Sequence, residues 1–267
     1  MLKKLLIYLA GRIIKFIANI LKVGCYAFHF FFPRKRFTLP RQSGPIFRRR
    51  GKTVIPRILW QTNFTDRVTL PLYLNYLWNR LLAFNYEYRF VDDETADAFI
   101  KEHYPGDVYD GYAMLQIGAA KADFWRLLVL YKQGGVYLDM DANLVWPLGS
   151  ILRPHDRELY ILMKNGMKSN YFIASKPDND LLKEMIALVM HNIDENSILT
   201  VYELTGPGVF DQVLEGIDAN FISYRYVCSQ GNFSNEYFQY IDSKQGKWTH
   251  AQHKMSIVKN SGQPESN

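Results

Sequence analysis

Acid is absent from the opening segment of this chain. Residues 1–65 hold 14 Lys and Arg and no Asp or Glu, whereas residues 66–267 hold the other 18 basic and all 26 acidic residues, a net −8. The overall charge of +6 is therefore a sum over two unlike parts. No recognition motif accompanies the basic part, so nucleic acid is not an expected partner. Cysteine is scarce as well. Cys25 and Cys228 lie far apart without CxxC spacing, which excludes a disulfide scaffold and suits a reducing cytosol at least as well as secretion. Long uncharged apolar runs are missing too. Leu2 to Phe32 is strongly apolar, but Lys3, Lys4, Arg12, Lys15 and Lys22 interrupt it, and no run reaches the ~18 residues of a simple spanning helix. The recurring charges, with no A-x-A-like site after them, also argue against a cleaved signal peptide.

What the opening segment does contain is amphipathic. At roughly 100° per residue, Lys4, Arg12, Lys15 and Lys22 fall within one sector of a helix, while Leu5, Leu6, Ile13, Phe16, Ile17 and Ile20 point mostly elsewhere. Behind them come Phe30-Phe31-Phe32, Arg34-Lys35-Arg36, Arg41 and Arg48-Arg49-Arg50. An anionic cytoplasmic leaflet attracts such cations by ~1 kcal/mol per residue near its surface. Residues 1–52 are thus expected to be a membrane-associating segment, lying peripherally on the cytoplasmic face of the inner (plasma) membrane, with Pro40 to Pro45 as linker. A snorkelling embedded helix and a helix packed on the body are the alternatives.

From residue 53 to 258 the pattern is that of one domain. Strands are expected at Val54 to Trp60, Tyr86 to Val91, Val136 to Leu138, Leu159 to Met163 and Tyr171 to Ala174. Helices are expected at Leu72 to Phe84, Glu94 to His103 with Asp92 or Asp93 as N-cap, Gly118 to Gln133, Asp180 to Asn192, and Val209 to Gly216. The alternation predicts an α/β fold with a mainly parallel central sheet, whose ligands bind beyond strand carboxyl ends. Residues 259–267 read as a polar tail.

The most informative stretch is Gly134-Gly135-Val136-Tyr137-Leu138-Asp139-Met140-Asp141. A buried strand stops there in two carboxylates one residue apart. Like charges at the edge of a core repel and resist ionisation, and a divalent cation removes that penalty. Oxygen ligands favour Mg²⁺ or Mn²⁺ held by one or two carboxylates plus phosphate. A solvated acidic turn is the competing reading. A calcium loop is not: Leu144 stands where Gly is needed and Ser150 where the bidentate Glu should be. One helix earlier, Asp123 and Arg126 share a face at i,i+3. Such a pair is either a surface ion pair of little consequence or part of the same site.

The order I-P-R-I-L-W-Q, then A-K-A-D-F-W-R-L-L-V-L-Y-K-Q-G-G-V-Y-L-D-M-D, then N-Y-F-I-A-S-K-P and T-G-P resembles the DXD-containing sugar-binding glycosyltransferases of family 32. That family includes initiating α-1,6-mannosyltransferases and many bacterial lipopolysaccharide and capsule enzymes. The resemblance implies a GT-A fold and a retaining transfer from a UDP- or GDP-linked sugar, with Mn²⁺ or Mg²⁺ as cofactor. The acceptor it implies is a glycan or glycolipid, lipid-linked or surface polysaccharide. By matching position, Asp141 would bind metal, with Asp139 on the donor and the metal's water. Asp123 and Arg126 would hold sugar hydroxyls, and Trp60 and Gln61 would line the base. Asn170 and the loop at Gly206 would lie near the donor. His250, with Trp248 and His253 nearby, is the C-terminal candidate to meet the metal or diphosphate.

The chemistry so implied is positioning and electrostatics by Asp123, Arg126, Asp139 and Asp141, without an obligatory general base. A glycosidase would need two carboxylates flanking a bond, which an alternate-residue pair at a strand end does not provide. A non-catalytic, membrane-tethered nucleotide-sugar or glycan-binding protein is the alternative.

Overall fold

The structure, a computed structural model, describes residues 2–48 and 51–259. Arg49 and Arg50 of the basic cluster, and the expected tail beyond Lys259, lie outside the described residues. The elements in chain order are α1 (Leu2–Phe31), β1 (Phe37–Thr38), β2 (Gln42–Ser43), β3 (Ile58–Thr62), β4 (Arg67–Val68), α2 (Leu70–Leu82), β5 (Glu87–Val91), α3 (Asp93–His103), α4 (Asp107–Met114) and α5 (Gly118–Gln133). β6 (Gly135–Leu138), β7 (Ala142–Leu144), α6 (Leu148–Ile151), β8 (Glu158–Leu162), β9 (Lys168–Ser175), α7 (Asp180–Glu195), α8 (Val201–Leu204) and α9 (Pro207–Val213) follow. β10 (Phe221–Ser223), a single 3-10 turn (Tyr224–Tyr226), β11 (Cys228–Gln230), α10 (Glu236–Tyr240) and α11 (Trp248–Ala251) complete the set.

Seven strands form the central sheet in the order β10-β8-β9-β6-β3-β5-β2. Five of them run one way, and β9 and β2 run against them. This is the expected α/β arrangement with a mainly parallel central sheet. Both sheet faces are covered, which is why the β6 run Val-Tyr-Leu is continuously apolar rather than alternating with polar residues. Tyr137, Ile58 and Trp60 point to the face packed by α3, α4, α5 and α7. Val136, Leu138 and Leu59 point to the opposite face, packed by α2 and the 142–148 segment.

The junction between α5 and β6 requires its two glycines. Gly134 and Gly135 have φ of +66° and +111°. A Cβ on Gly134 would sit 2.7 Å from Pro177 Cδ, and one on Gly135 would sit 2.9 Å from the Ile58 carbonyl oxygen. Helix and central strand are thereby brought together with no intervening loop.

Several boundaries differ from expectation for local reasons. β3 starts at Ile58, not Val54: Pro56 has no N–H to give the ladder, and its carbonyl accepts from Ile58 N. α9 begins at Pro207, whose fixed φ suits the first helical turn. α4 was not anticipated; Gly106 at φ +88° turns the chain into it. Residues 40–45, expected as a linker, instead carry β2, which pairs antiparallel with β5 at the sheet edge (Gln42 with Arg89, Ser43 with Tyr88).

The opening helix is not separate from the body. Ile7, Ile14, Ala18, Cys25 and His29 are buried along one face of α1, and the first three of them pack with Val145 and Phe233. Of the three arrangements open to this segment, contact with the body is thus realised along one face, which leaves the opposite face exposed. Among the described residues, no helix is long and apolar enough to cross a membrane.

Candidate active site

The Asp139-Met140-Asp141 turn joins the central strand β6 to β7, at the carboxyl end where an α/β sheet offers a crevice. Its backbone is tied down on three sides. Asp139 N donates to Tyr171 O at 2.9 Å and Ala142 N to Asp139 O at 3.0 Å. From α2, the Asn75 amide donates to the carbonyls of Met140 and Ala142 at 2.7 and 2.9 Å, and Asn79 donates to Ala142 O at 2.9 Å. From β3, the Gln61 amide donates to the carbonyls of Leu138 and Asp139 at 3.3 and 3.2 Å.

The side chains of the pair open on a cleft of about 1210 Å³. Asp139 Oδ1 accepts from the Tyr137 hydroxyl at 2.7 Å and faces Arg126 Nη1 at 3.2 Å. Asp139 Oδ2 and Asp141 Oδ1 converge on a single donor, the Gln230 amide, at 3.3 and 3.0 Å. β11 places that amide by pairing antiparallel with β7, Gln230 lying opposite Ala142. A backbone bond from Gly231 N to Asp141 O, 3.0 Å long, fastens the end.

Behind the pair, Asp123 and Arg126 are buried and ion-paired at 3.0 Å. The guanidinium also donates to the Asn170 carbonyl at 2.8 Å and lies over the Tyr137 ring, 4.2 Å from its centre. The Asn170 amide donates to Asp123 Oδ1 at 2.9 Å and the Thr205 hydroxyl to Oδ2 at 3.4 Å. The i,i+3 pair is therefore no surface ion pair; it is a desolvated cation shared between two carboxylates.

Burial sets the protonation behaviour. It pushes the Asp123 carboxyl up to about 7, Arg126 pulling it down and Asp139 adding to the rise. Asp141 is also pushed up to about 7, by burial first and then by the like charge of Asp139. Burial works against the charge on Arg126, but Tyr137, Asp139, Asp123 and Asp141 around it hold the guanidinium protonated.

Asp123, Arg126, Asp139, Asp141 and Asn170 all line the cleft. The other expected positions do not. Trp60 is buried in the core, donates from its indole to Gly134 O at 2.9 Å and meets Trp125 edge-on. Gln61 is fully buried and acts on the turn's backbone. Gly206 caps α9 against Tyr202, while its neighbours Tyr202 and Pro207 reach the cleft. His250 is exposed on α11, outside the cleft lining, whereas Trp248 on the same helix lines it.

Gln230, Tyr137 and the pair Asn75 and Asn79 were not singled out from the sequence. For Gln230 no local signal exists, since only the β11–β7 pairing brings it there. The two asparagines four apart within an otherwise apolar helix are a usable signal, because buried amides demand partners.

The two carboxylates fit a hard divalent cation. Both already reach one electropositive group, the Gln230 amide, at hydrogen-bond distance. Among the described residues no cluster of three or more His, Cys, Asp or Glu is placed to hold a metal. Protein ligation would thus come from Asp139 and Asp141, as is usual when phosphate and water supply the rest.

A layered α/β domain thus carries an acid pair at the end of its central strand and a buried Asp–Arg pair behind it. Residues 71–159 match the family described as "Glycosyltransferase sugar-binding region containing DXD motif". Over that stretch the chain is similar to DXD-containing glycosyltransferases, in line with the resemblance carried by its sequence motifs. It is 24% identical over 214 residues to the "Initiation-specific alpha-1,6-mannosyltransferase" of Schizosaccharomyces pombe, covering 68% of this chain and 51% of that protein. To the protein of the same name in Candida albicans it is 25% identical over 236 residues, covering 69% and 60%. It is 32% identical over 101 residues to an uncharacterized glycosyltransferase of Acanthamoeba polyphaga mimivirus, covering 37% and 40%. The chain thus spans between half and three fifths of the two mannosyltransferases it matches. Among solved structures it is similar to the "PaToxG Glycosyltransferase", with 17% identity, 79% coverage of both chains and a TM-score of 0.49.

Proposed function

We propose that this protein is a retaining, metal-dependent glycosyltransferase that moves a sugar from a UDP- or GDP-linked donor to a lipid-linked or surface-polysaccharide acceptor. The convergence of Asp139 and Asp141 on one polar group at the mouth of the cleft carries this reading. A mannosyl donor is the first to test, given the names of the fungal relatives.

In this reading Asp139 and Asp141 hold Mn²⁺ or Mg²⁺, which supplies charge neutralisation at the diphosphate. Asp123, oriented by Asn170 and Thr205, accepts hydrogen bonds from donor sugar hydroxyls. Arg126, within ion-pair distance of Asp123 and Asp139, offers positive potential to the developing charge. In the transfer, the bond from C1 to the leaving phosphate oxygen breaks and a bond from C1 to the acceptor oxygen forms on the same face. The acceptor's proton passes to the departing phosphate oxygen, so no protein base is consumed. Outside the cleft, α1 attaches the molecule peripherally to the cytoplasmic face of the plasma membrane.

The test is nucleotide release from a panel of UDP- and GDP-sugars, with Mn²⁺ and after chelation. Metal-dependent release that falls at least ~100-fold in Asp141→Asn supports the proposal. Donor binding by calorimetry with no release over days would instead establish a non-catalytic binding protein.

A further inference from the structure

α1 has two apolar faces. One is docked on the body, and on the other Ile13, Phe16 and Ile20 are 59%, 68% and 57% exposed, in line with Leu2, Leu6, Leu9 and Val23. Leu2, Leu9, Ile13, Phe16 and Ile20 fall roughly opposite Ile7, Ile14, Ala18 and Cys25 at 100° per residue, so the outward stripe cannot be reached by the core that holds the inward one. Phe30, Phe31 and Phe32 extend it past the helix end at 57% exposure or more. The flanks bear the exposed Arg12 and Lys15, then Arg34 and Lys35, with no acid anywhere in residues 1–65. Apolar stripe plus unopposed cations is complementary to an anionic bilayer surface rather than to a second copy, whose matching face would repel.

The docked face, in turn, holds the segment that closes the acid pair. Lys22 Nζ donates to the Gly231 carbonyl at 2.7 Å, one residue from Gln230. Tyr26 bonds the Asn235 amide and packs on Phe238, their rings 4.6 Å apart. Just past the helix, Arg36 Nη2 donates to Asp242 Oδ1 at 2.8 Å, and Asp242 lines the cleft. Every one of these ties ends within residues 231–242.

We infer that α1 is a lipid-seated brace: its outward face lies on an anionic bilayer, and that seating holds residues 228–242 against the acid pair. A bilayer that binds only the docked helix shifts the population toward the docked strap. Docked, the helix already turns its leucine, isoleucine and phenylalanine stripe outward, so a bilayer can seat it without breaking a contact to the body. This inference rests on the membrane attachment proposed above, and on none of the transfer chemistry.

Hydrogen exchange of the full chain tests it, with phosphatidylcholine vesicles that contain or lack phosphatidylglycerol. The chain is expected to float with the anionic vesicles, and amides of 228–242 to exchange at least ~5-fold more slowly when bound. Phe16→Ser with Ile20→Ser, both outward, should lose flotation and the slowing together while retaining the free protein's melting temperature. Lys22→Met should still float but show a reduced slowing. No flotation would overturn the membrane attachment itself. Flotation with unchanged exchange in 228–242 would overturn the brace alone, and a vesicle-resistant dimer abolished by the Phe16 and Ile20 changes would assign the face to a second copy.

Discussion

Arg126 is the residue on which the electrostatics of the cleft turn. It stands within 3.0 and 3.2 Å of two carboxylates, the buried Asp123 and the half-buried Asp139, that would otherwise repel each other. Arg126→Ala should therefore cost about 3–5 kcal/mol, the usual penalty for stranding buried charge, read as a lower urea midpoint. Asp123→Asn in the same chain should return part of that loss, and a double variant no more stable than Arg126→Ala would refute the assignment. Asp141 predicts the opposite sign. Its burial and the nearby Asp139 charge disfavour ionisation, so Asp141→Asn should leave the midpoint unchanged or raise it, even as it abolishes metal binding. At this scale much was legible. Aspartates one residue apart at the end of an apolar strand announced themselves, and so did Asp123 and Arg126 on one helix face. The side chains of Trp60 and Gln61 lie outside the cleft lining, because position in a strand does not show which sheet face a side chain takes, and Trp60 takes the core.

At the scale of elements, the α5–β6 junction and the α1–α2 contact make separate predictions. Gly134→Ala places a Cβ against Pro177 in a left-handed backbone, which should cost at least about 1–2 kcal/mol; an unchanged melting temperature would show that the junction relaxes. His29 Nε2 accepts from Leu70 N, the first amide of α2, at 3.1 Å. Burial, and then the charge of Arg36, lower its pKa, against weaker opposing effects of the Phe32 carbonyl and Asp242. The neutral ring is thus favoured in the folded state. Its contribution is fully present above the unfolded value of about 6.5 and is lost as pH falls below it toward the lowered folded value. Stability measured from pH 7.5 to 5 should show this drop, and His29→Gln should flatten that part of it. An identical profile in the variant would remove His29 from the account. Long elements are readable from periodicity: α5 is expected at its observed bounds, and α3 within a residue of its start, with Asp92 one of its two candidate caps. The short strands β2, β7, β10 and β11 were not, because two or three residues carry no period and exist only through partners far along the chain.

For the whole molecule, the division of charge has a thermodynamic counterpart. The acid pair should bind Mn²⁺ in the folded state and not in the unfolded chain, so adding Mn²⁺ should raise the melting temperature with ligand concentration. Chelation of metal-free protein should leave it where it was, since Arg126 and Gln230 already satisfy the pair. A rise that persists in the Asp139→Asn, Asp141→Asn double variant would place the ion elsewhere. The basic segment should contribute nothing to that response. Its partition from the acidic body was visible in composition, but its docking was not, since an amphipathic pattern does not say whether one apolar face or two will be used.

The pairing of β11 with β7 brings together residues some 86 positions apart, Gln230 against Ala142 among them. Contacts of such separation form late, after the loop between them has been closed against its entropy. On a ribosome, the acid pair would emerge and the sheet could begin to assemble well before Gln230 was synthesised. For that interval the two carboxylates face each other without the amide that joins them, so the acid edge of the cleft is completed only when residues 228–230 have been made and paired.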